Sequence, residues 1–240
     1  MDCPPLLTPI TVHLLTLPDG DVLRLYLVRF GVAQFDAAWF ALAGIACPPA
    51  VARSVPKRQA EFFFGRLAAH AALRDFGAPS LQIAVGPGRE PVWPVDVVGS
   101  ISHTQGLAGA AVGAARRHAG LGIDLERTAR DQSQMALRQT VIDAGELSIL
   151  QAVASTLTLD ELVTIVFSAK ESLYKAAYPT VRRLFGCEVA RVEAVDESRG
   201  IVTLMLVEDL HPEFACGRRC AVAFERLDVD IFVTAFEARP

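Results

Sequence analysis

The chain has 240 residues, 52% hydrophobic and 21% charged, which excludes a disordered or collagen-like polypeptide and leaves ample length to bury a core. A formal charge of −4 argues against nucleic-acid binding driven by bulk charge, and the cations are unevenly divided, 20 Arg against three Lys (Lys57, Lys170, Lys175). Five Cys without a metal or redox spacing, a start (MDCPPLLTPI) without a basic and apolar export signal, and no apolar run near the ~18 residues of a membrane span lead us to expect a soluble cytoplasmic protein.

In chain order, residues 1–56 carry prolines and short apolar runs, with one strand expected at 23–30. A first helix is expected from Lys57 to Phe76, with Ser54 as its cap, Pro56 in its first turn and Gly77 as its stop. Its apolar spacing leaves Arg58 and Arg66 for other duties. Strands follow at 97–102, 107–114 and 120–126, and the Gly and Ala of the middle one predict close packing. A second helical region is expected at 134–154, broken near 142–145. A third helix is expected at 158–178, with a Thr158/Glu161 capping box and Pro179 as terminator. Strands are expected at 188–195, 200–207, 219–227 and 230–238, with a hairpin turn at 198–200. Helix plus sheet thus occurs twice, which predicts an α+β fold of two similar lobes.

Four segments carry candidate chemistry. In Asp124-Leu125-Glu126 the carboxylates share one strand face while Leu125 enters the core. Taken alone, this reads first as a strand end meeting solvent. In FSAKESLYKAAYP (167–179), Thr164, Ser168, Glu171 and Lys175 fall on one helical stripe, and Leu162, Ile165, Val166, Ala169, Leu173 and Ala176 on the core side. A solvated i,i+4 pair of about 0.2–0.5 kcal/mol would explain Glu171 and Lys175, but not their coincidence with the acidic strand. Together the two segments supply three carboxylates and two ammonium groups, which suits Mg²⁺ and diphosphate and not zinc. SISH (100–103) lacks a nucleophile elbow, so Ser102 and His103 read as phosphate donors or as a plain strand end. Arg53, Lys57, Arg58, Arg66 and Arg89 form a basic group with neither a GxGxxG nor a Walker loop; singly, each is a solvated cation.

The segments KRQAEFFFGRLAAHAAL (57–73), REPVWP (89–94), GSISH (99–103), GIDLE (122–126) and FSAKESLYKAAYP (167–179) resemble the 4′-phosphopantetheinyl transferases of the enterobactin-synthetase-component-D and surfactin type. Order and spacing both match, across about residues 53–180. The resemblance implies transfer of the phosphopantetheine arm of coenzyme A to a serine of an acyl or peptidyl carrier protein, releasing adenosine 3′,5′-bisphosphate. It implies a pseudo-dimer of two helix-plus-antiparallel-sheet lobes, 1–126 on the coenzyme 3′-phosphate and adenine side and 127–240 with the catalytic helix, and the site in the cleft between them.

Carried over by position, Asp124, Glu126 and Glu171 resemble Mg²⁺ ligands, and Lys175 the lysine on the diphosphate, with Asp124 also beside the coenzyme. Lys170 is expected beside the reacting centre, with Glu171 preferred to it as base. Arg58, Arg66, Arg89 and His103 resemble the groups around the 3′-phosphate and adenine, with Ser102 a neighbouring donor. Arg182 and Arg183 are expected to meet the acidic carrier. A monomer is expected, with no nucleic-acid or membrane partner. Two other readings stand beside this one. A different Mg²⁺-dependent phosphoryl or nucleotidyl transferase leaves GSISH and REPVWP without a role, and a catalytically silent carrier-binding paralogue runs against the intact carboxylate set. Fatty-acid, polyketide and non-ribosomal peptide carriers all remain open.

Overall fold

A computed structural model describes residues 9–128, 141–153 and 156–239. Two antiparallel sheets carry the fold. The first is built from β1 (Ile10–Thr16), β2 (Val22–Arg29), β5 (Val97–Thr104) and β6 (Leu107–Ala114) in the order β1-β2-β6-β5. The second comprises β7 (Gly120–Arg127), β8 (Ala190–Asp196), β9 (Ile201–Leu206), β10 (Arg219–Asp228) and β11 (Ile231–Ala238) in the order β7-β11-β10-β9-β8. A two-residue ladder, β3 (Ala84–Val85) with β4 (Pro91–Val92), stands apart. Among the described residues the named α-helices are the short α1 (Trp39–Leu42) and α2 (Pro49–Ala52), then α3 (Pro56–Phe76), α4 (Ala144–Ala152) and α5 (Leu159–Val181).

Three apolar clusters stack these elements as helix, sheet, sheet, helix. Phe63, Phe64 and Leu73 of α3 pack on Val28, Ala108 and Ala110 of the first sheet. The opposite face of that sheet, through Leu23, Leu25 and Leu27, meets Leu121, Ile123, Leu125, Ile231 and Val233 of the second. Phe232 and Phe236, on the far side of β11, lie under Ile165, Ala169 and Leu173 of α5. Strand β2 is therefore covered on both faces, which is why its expected alternation was imperfect. The α+β class holds.

The expected elements sit close to their places, with instructive differences. Helix α3 starts at Pro56 with Val55 as N-cap and no side-chain cap; Ser54 Oγ instead donates to the Val51 carbonyl at 2.6 Å. Gly77 does end it, at φ 75°. The Thr158/Glu161 capping box is present on α5, but the helix runs through Pro179 to Val181, so that proline does not terminate it. Pro179 lies in the last turn, so its missing N–H costs the helix a single backbone bond, the one to the Lys175 carbonyl, and only two residues follow it. The interruption near 142–145 is the Asp143/Glu146 capping box that starts α4; residues 134–140 lie outside the described ones. Strand β1 was not foreseen. The chain passes from one sheet to the other between Ala114 and Gly120, ahead of the expected division after Glu126.

Candidate active site

Strands β5 and β7 are edges of different sheets, and they meet. An edge strand leaves backbone N–H groups that need partners. Two serine side chains supply them: Ser100 Oγ accepts from Ile123 N at 3.0 Å, and Ser102 Oγ accepts from Leu125 N at 3.1 Å. The SIS stretch is thus a seam between the sheets. Ser102 was expected to face phosphate; it is 5% exposed and donates to Asp124 Oδ1 at 2.8 Å.

The opposite face of β7 receives α5. Gly120 and Gly122 permit this approach, because a Cβ on either would lie 1.9 Å from a helix carbonyl oxygen, that of Ala176 or Ser172. Two residues further along the same face, Asp124 meets the helix side chains. Its Oδ2 accepts from Ser168 Oγ at 2.9 Å and its Oδ1 from Lys175 Nζ at 2.6 Å. Lys175 also donates to Ser102 Oγ at 3.2 Å and to the Ile123 carbonyl at 3.1 Å. Thr234 of β11 joins through Ser168 and Ser172, at 2.9 and 2.7 Å. This buried network fixes both Asp124 and Lys175. Neither Thr234 nor Ser172 was singled out from sequence, since hydroxyls on a core face carry no motif.

Glu126 and Glu171 belong to the same electrostatic neighbourhood. Burial, then the charges of Asp124 and Glu171, push the Glu126 carboxyl up to about 8, against a pull from Lys175. Glu171 is raised chiefly by burial, opposed by Lys175 and reinforced by Asp124. Three carboxylates thus share one ammonium in a poorly solvated place, a hard-oxygen set short of positive charge. They do not converge on one point: among the described residues no three His, Cys, Asp or Glu side chains are disposed to share a metal ion.

Lys170, expected beside the reacting centre, is elsewhere. Its side chain is 2% exposed and ion-paired with Glu146 at 2.8 Å, and its Nζ donates to the Val141 carbonyl at 2.7 Å. Helical geometry explains the correction: one residue from Glu171 is about 100° around the axis, toward Val163, Val166 and Leu173 on the buried side.

The basic group is partly assembled. His103 leaves β5 on the face opposite Ser102, and its Nε2 lies 3.1 Å from Arg58 Nη1, with Glu61 4.0 Å away. Burial foremost holds His103 below its usual range, with Glu61 opposing and Arg58 and Lys175 assisting, which favours the neutral ring. Arg66 is 6% exposed, lies over the Phe62 ring at 4.8 Å, and has a buried Nε without a hydrogen-bond partner. Burial, then Arg58, lower it to about 10. Arg89 sits apart from these, at φ 68° in the β3–β4 turn. It lines a cavity of about 220 Å³ with Ser100, Tyr174, Lys175 and Tyr178. A second cavity of about 270 Å³ shares Glu90, Lys175 and Tyr178 and extends past Trp93 to Arg182. Lys175 therefore faces both spaces, between segments of the first sheet and the helix over the second.

A family model of the 4′-phosphopantetheinyl transferase N-terminal domain matches residues 48–113, and one of the 4′-phosphopantetheinyl transferase superfamily matches residues 120–224. The chain belongs to the 4′-phosphopantetheinyl transferase superfamily. Among curated relatives, enterobactin synthase component D of Salmonella typhi is 40% identical over 120 residues, 50% of this chain and 48% of that protein. The 4′-phosphopantetheinyl transferase Npt of Nocardia iowensis is 37% identical over 146 residues, 59% and 62% of the two chains. PptT of Mycobacterium tuberculosis, also named a 4′-phosphopantetheinyl transferase, is 36% identical over 157 residues, 63% and 65%. The chain thus spans 48% to 65% of the length of these relatives. The junction between the two superfamily models falls at residues 113–120, where the chain changes sheets. No helix among the described residues is long and apolar enough to cross a membrane.

Proposed function

We propose that this superfamily member transfers the 4′-phosphopantetheine arm of coenzyme A to a serine of an acyl or peptidyl carrier protein, leaving adenosine 3′,5′-bisphosphate. The observation that carries the reading is Lys175, held by Asp124, Ser102 and the Ile123 carbonyl at the mouth of the Arg89 cavity. An ammonium so positioned meets charge developing on a diphosphate with little reorganisation. The two sheet-and-helix halves read as a pseudo-dimer whose cleft takes the coenzyme, with Arg89 toward its anionic end. Arg58, Arg66 and neutral His103 supply the 3′-phosphate side, and the unpartnered Nε of Arg66 suits an anion.

Mg²⁺ fits the hard-oxygen chemistry of Asp124, Glu126 and Glu171, which would have to draw together around it, and the raised carboxyls of Glu126 and Glu171 register a deficit of positive charge. Bound there, it would neutralise phosphate charge that Lys175 does not reach. Glu171, its carboxyl raised chiefly by burial, suits the role of base for the carrier serine better than Lys170, which is paired with Glu146. Arg182, exposed at the end of α5 beside Leu184, is the proposed contact for an acidic carrier, together with Arg183.

One incubation tests the reading: apo carrier protein, coenzyme A, Mg²⁺ and this protein, followed by mass spectrometry. A gain of one phosphopantetheine arm is expected, and its loss in Glu171→Gln. No gain across fatty-acid, polyketide and peptidyl carriers would overturn it.

A further inference from the structure

Of the two lysines in the FSAKESLYK stretch, only Lys175 faces the cavities, and the other is buried in contacts of its own. Glu146 uses both carboxylate oxygens at once. Its Oε1 lies 2.8 Å from Lys170 Nζ and accepts from Val192 N at 2.8 Å, while its Oε2 accepts from Asp143 N at 2.9 Å. Lys170 adds a bond to the Val141 carbonyl at 2.7 Å. The pair therefore joins α5, the first turn of α4, Val141 and β8. Both partners are buried, Lys170 at 4% and Glu146 at 4% exposure. A pair this dry is a weak source of stability compared with apolar packing, yet losing one partner strands a charge. Sequence places Lys170 directly before Glu171, so what holds the first also sets the second.

Resting on the function proposed above, we propose that Lys170 is a positioning residue that acts through Glu146. The pair clamps Val141 and α4 against α5 and so fixes the rotation at which α5 presents Glu171 and Lys175 to β7. The Lys170 ammonium touches neither the phosphates nor the attacking serine.

A double-mutant cycle with Lys170→Met, Glu146→Gln and the combination tests this, read as kcat/KM for carrier modification per folded protein. Each single change leaves a buried charge alone and is expected to lower kcat/KM by about tenfold or more, whereas the combination removes both charges and returns to within about threefold of the unaltered chain. Coenzyme A affinity, measured by calorimetry, falls in each single variant and recovers in the combination, because Lys175 moves with α5. Hydrogen exchange at the amides of Asp143 and Val192 quickens in Lys170→Met. A chemical role for the ammonium gives the opposite pattern: the combination is as inactive as Lys170→Met, and Glu146→Gln is active. A purely structural pair lowers Tm in both single variants with kcat/KM intact. Either pattern overturns the proposal. Should the unaltered protein transfer no arm, the function proposed above falls by itself; exchange unaltered in Lys170→Met then sinks the clamp separately.

Discussion

Lys175 Nζ lies 2.6 Å from Asp124 Oδ1, and this contact closes the join between α5 and β7. Its geometry requires a compact cation. Nζ is shared among Asp124, Ser102 and the Ile123 carbonyl within 3.2 Å, a convergence that a planar guanidinium cannot reproduce without moving the helix or the strand. Lys175→Arg is therefore expected to lower kcat by on the order of 100-fold although charge is kept, the scale seen when an electrostatic donor is lost. Lys57 offers the contrast. It is 68% exposed and 3.9 Å from Glu61, an interaction of little consequence, so Lys57→Arg should stay within about twofold. Steady-state kinetics on both variants checks the pair.

The approach of α5 to β7 depends on what β7 lacks. A Cβ at Gly122 would lie 1.9 Å from the Ser172 carbonyl oxygen and 2.8 Å from Ala176 N, both backbone atoms that cannot swing aside. Gly122→Ala should force the helix off the strand, at a cost of about 1–3 kcal/mol or somewhat more, the range for overpacking a core. Urea denaturation reads the stability. Activity should fall further than stability accounts for, because Asp124 and Lys175 separate with the elements that carry them.

Much of this was legible beforehand, for reasons that differ by element. Helices α3 and α5 have boundaries written in local chemistry, Gly77 for one and the Thr158/Glu161 box for the other. Asp124 and Glu126 could be placed on one face by strand periodicity alone. Strand β1 was not legible: Ile10, Val12 and Leu14 are 36%, 45% and 59% exposed, so its alternation does not mark a buried face. The seam role of Ser100 and Ser102 was also hidden, because it depends on two edge strands meeting, which no local pattern encodes. Lys170 had a usable signal that motif reading masked, its helical spacing from Val163, Val166 and Leu173.

Alkaline pH should weaken the fold through Cys220. This thiol on β10 is 1% exposed, and burial, against a lesser pull from Arg218, pushes it from its ordinary 9.0 to about 11. Between those values the unfolded chain releases a proton that the folded chain keeps. The unfolded state then binds fewer protons, so stability falls as pH rises. The contribution is fully present below about 9 and lost on passing to about 11, with an upper bound of about 2–3 kcal/mol. Urea midpoints across pH 8–11.5 should decline, and Cys220→Ala should flatten the decline. An identical slope in the variant would assign the effect to other groups.

The basic cluster makes a prediction about substrate discrimination. Arg58 is exposed, 3.1 Å from a His103 ring held neutral, and Arg66 lies deeper with its Nε unpartnered. If these groups receive the 3′-phosphate, removing that phosphate and removing the arginine should be redundant. Arg58→Ala is expected to raise KM for coenzyme A by about tenfold, the value of a charge-assisted hydrogen bond of about 1.5 kcal/mol, while leaving KM for 3′-dephospho-coenzyme A nearly unchanged. Arg66→Met should show the same selectivity: the apolar stem over Phe62 is kept and only the guanidinium is removed. Equal KM increases for both coenzymes in Arg58→Ala would place the 3′-phosphate elsewhere, with the Arg89 cavity the next position to test.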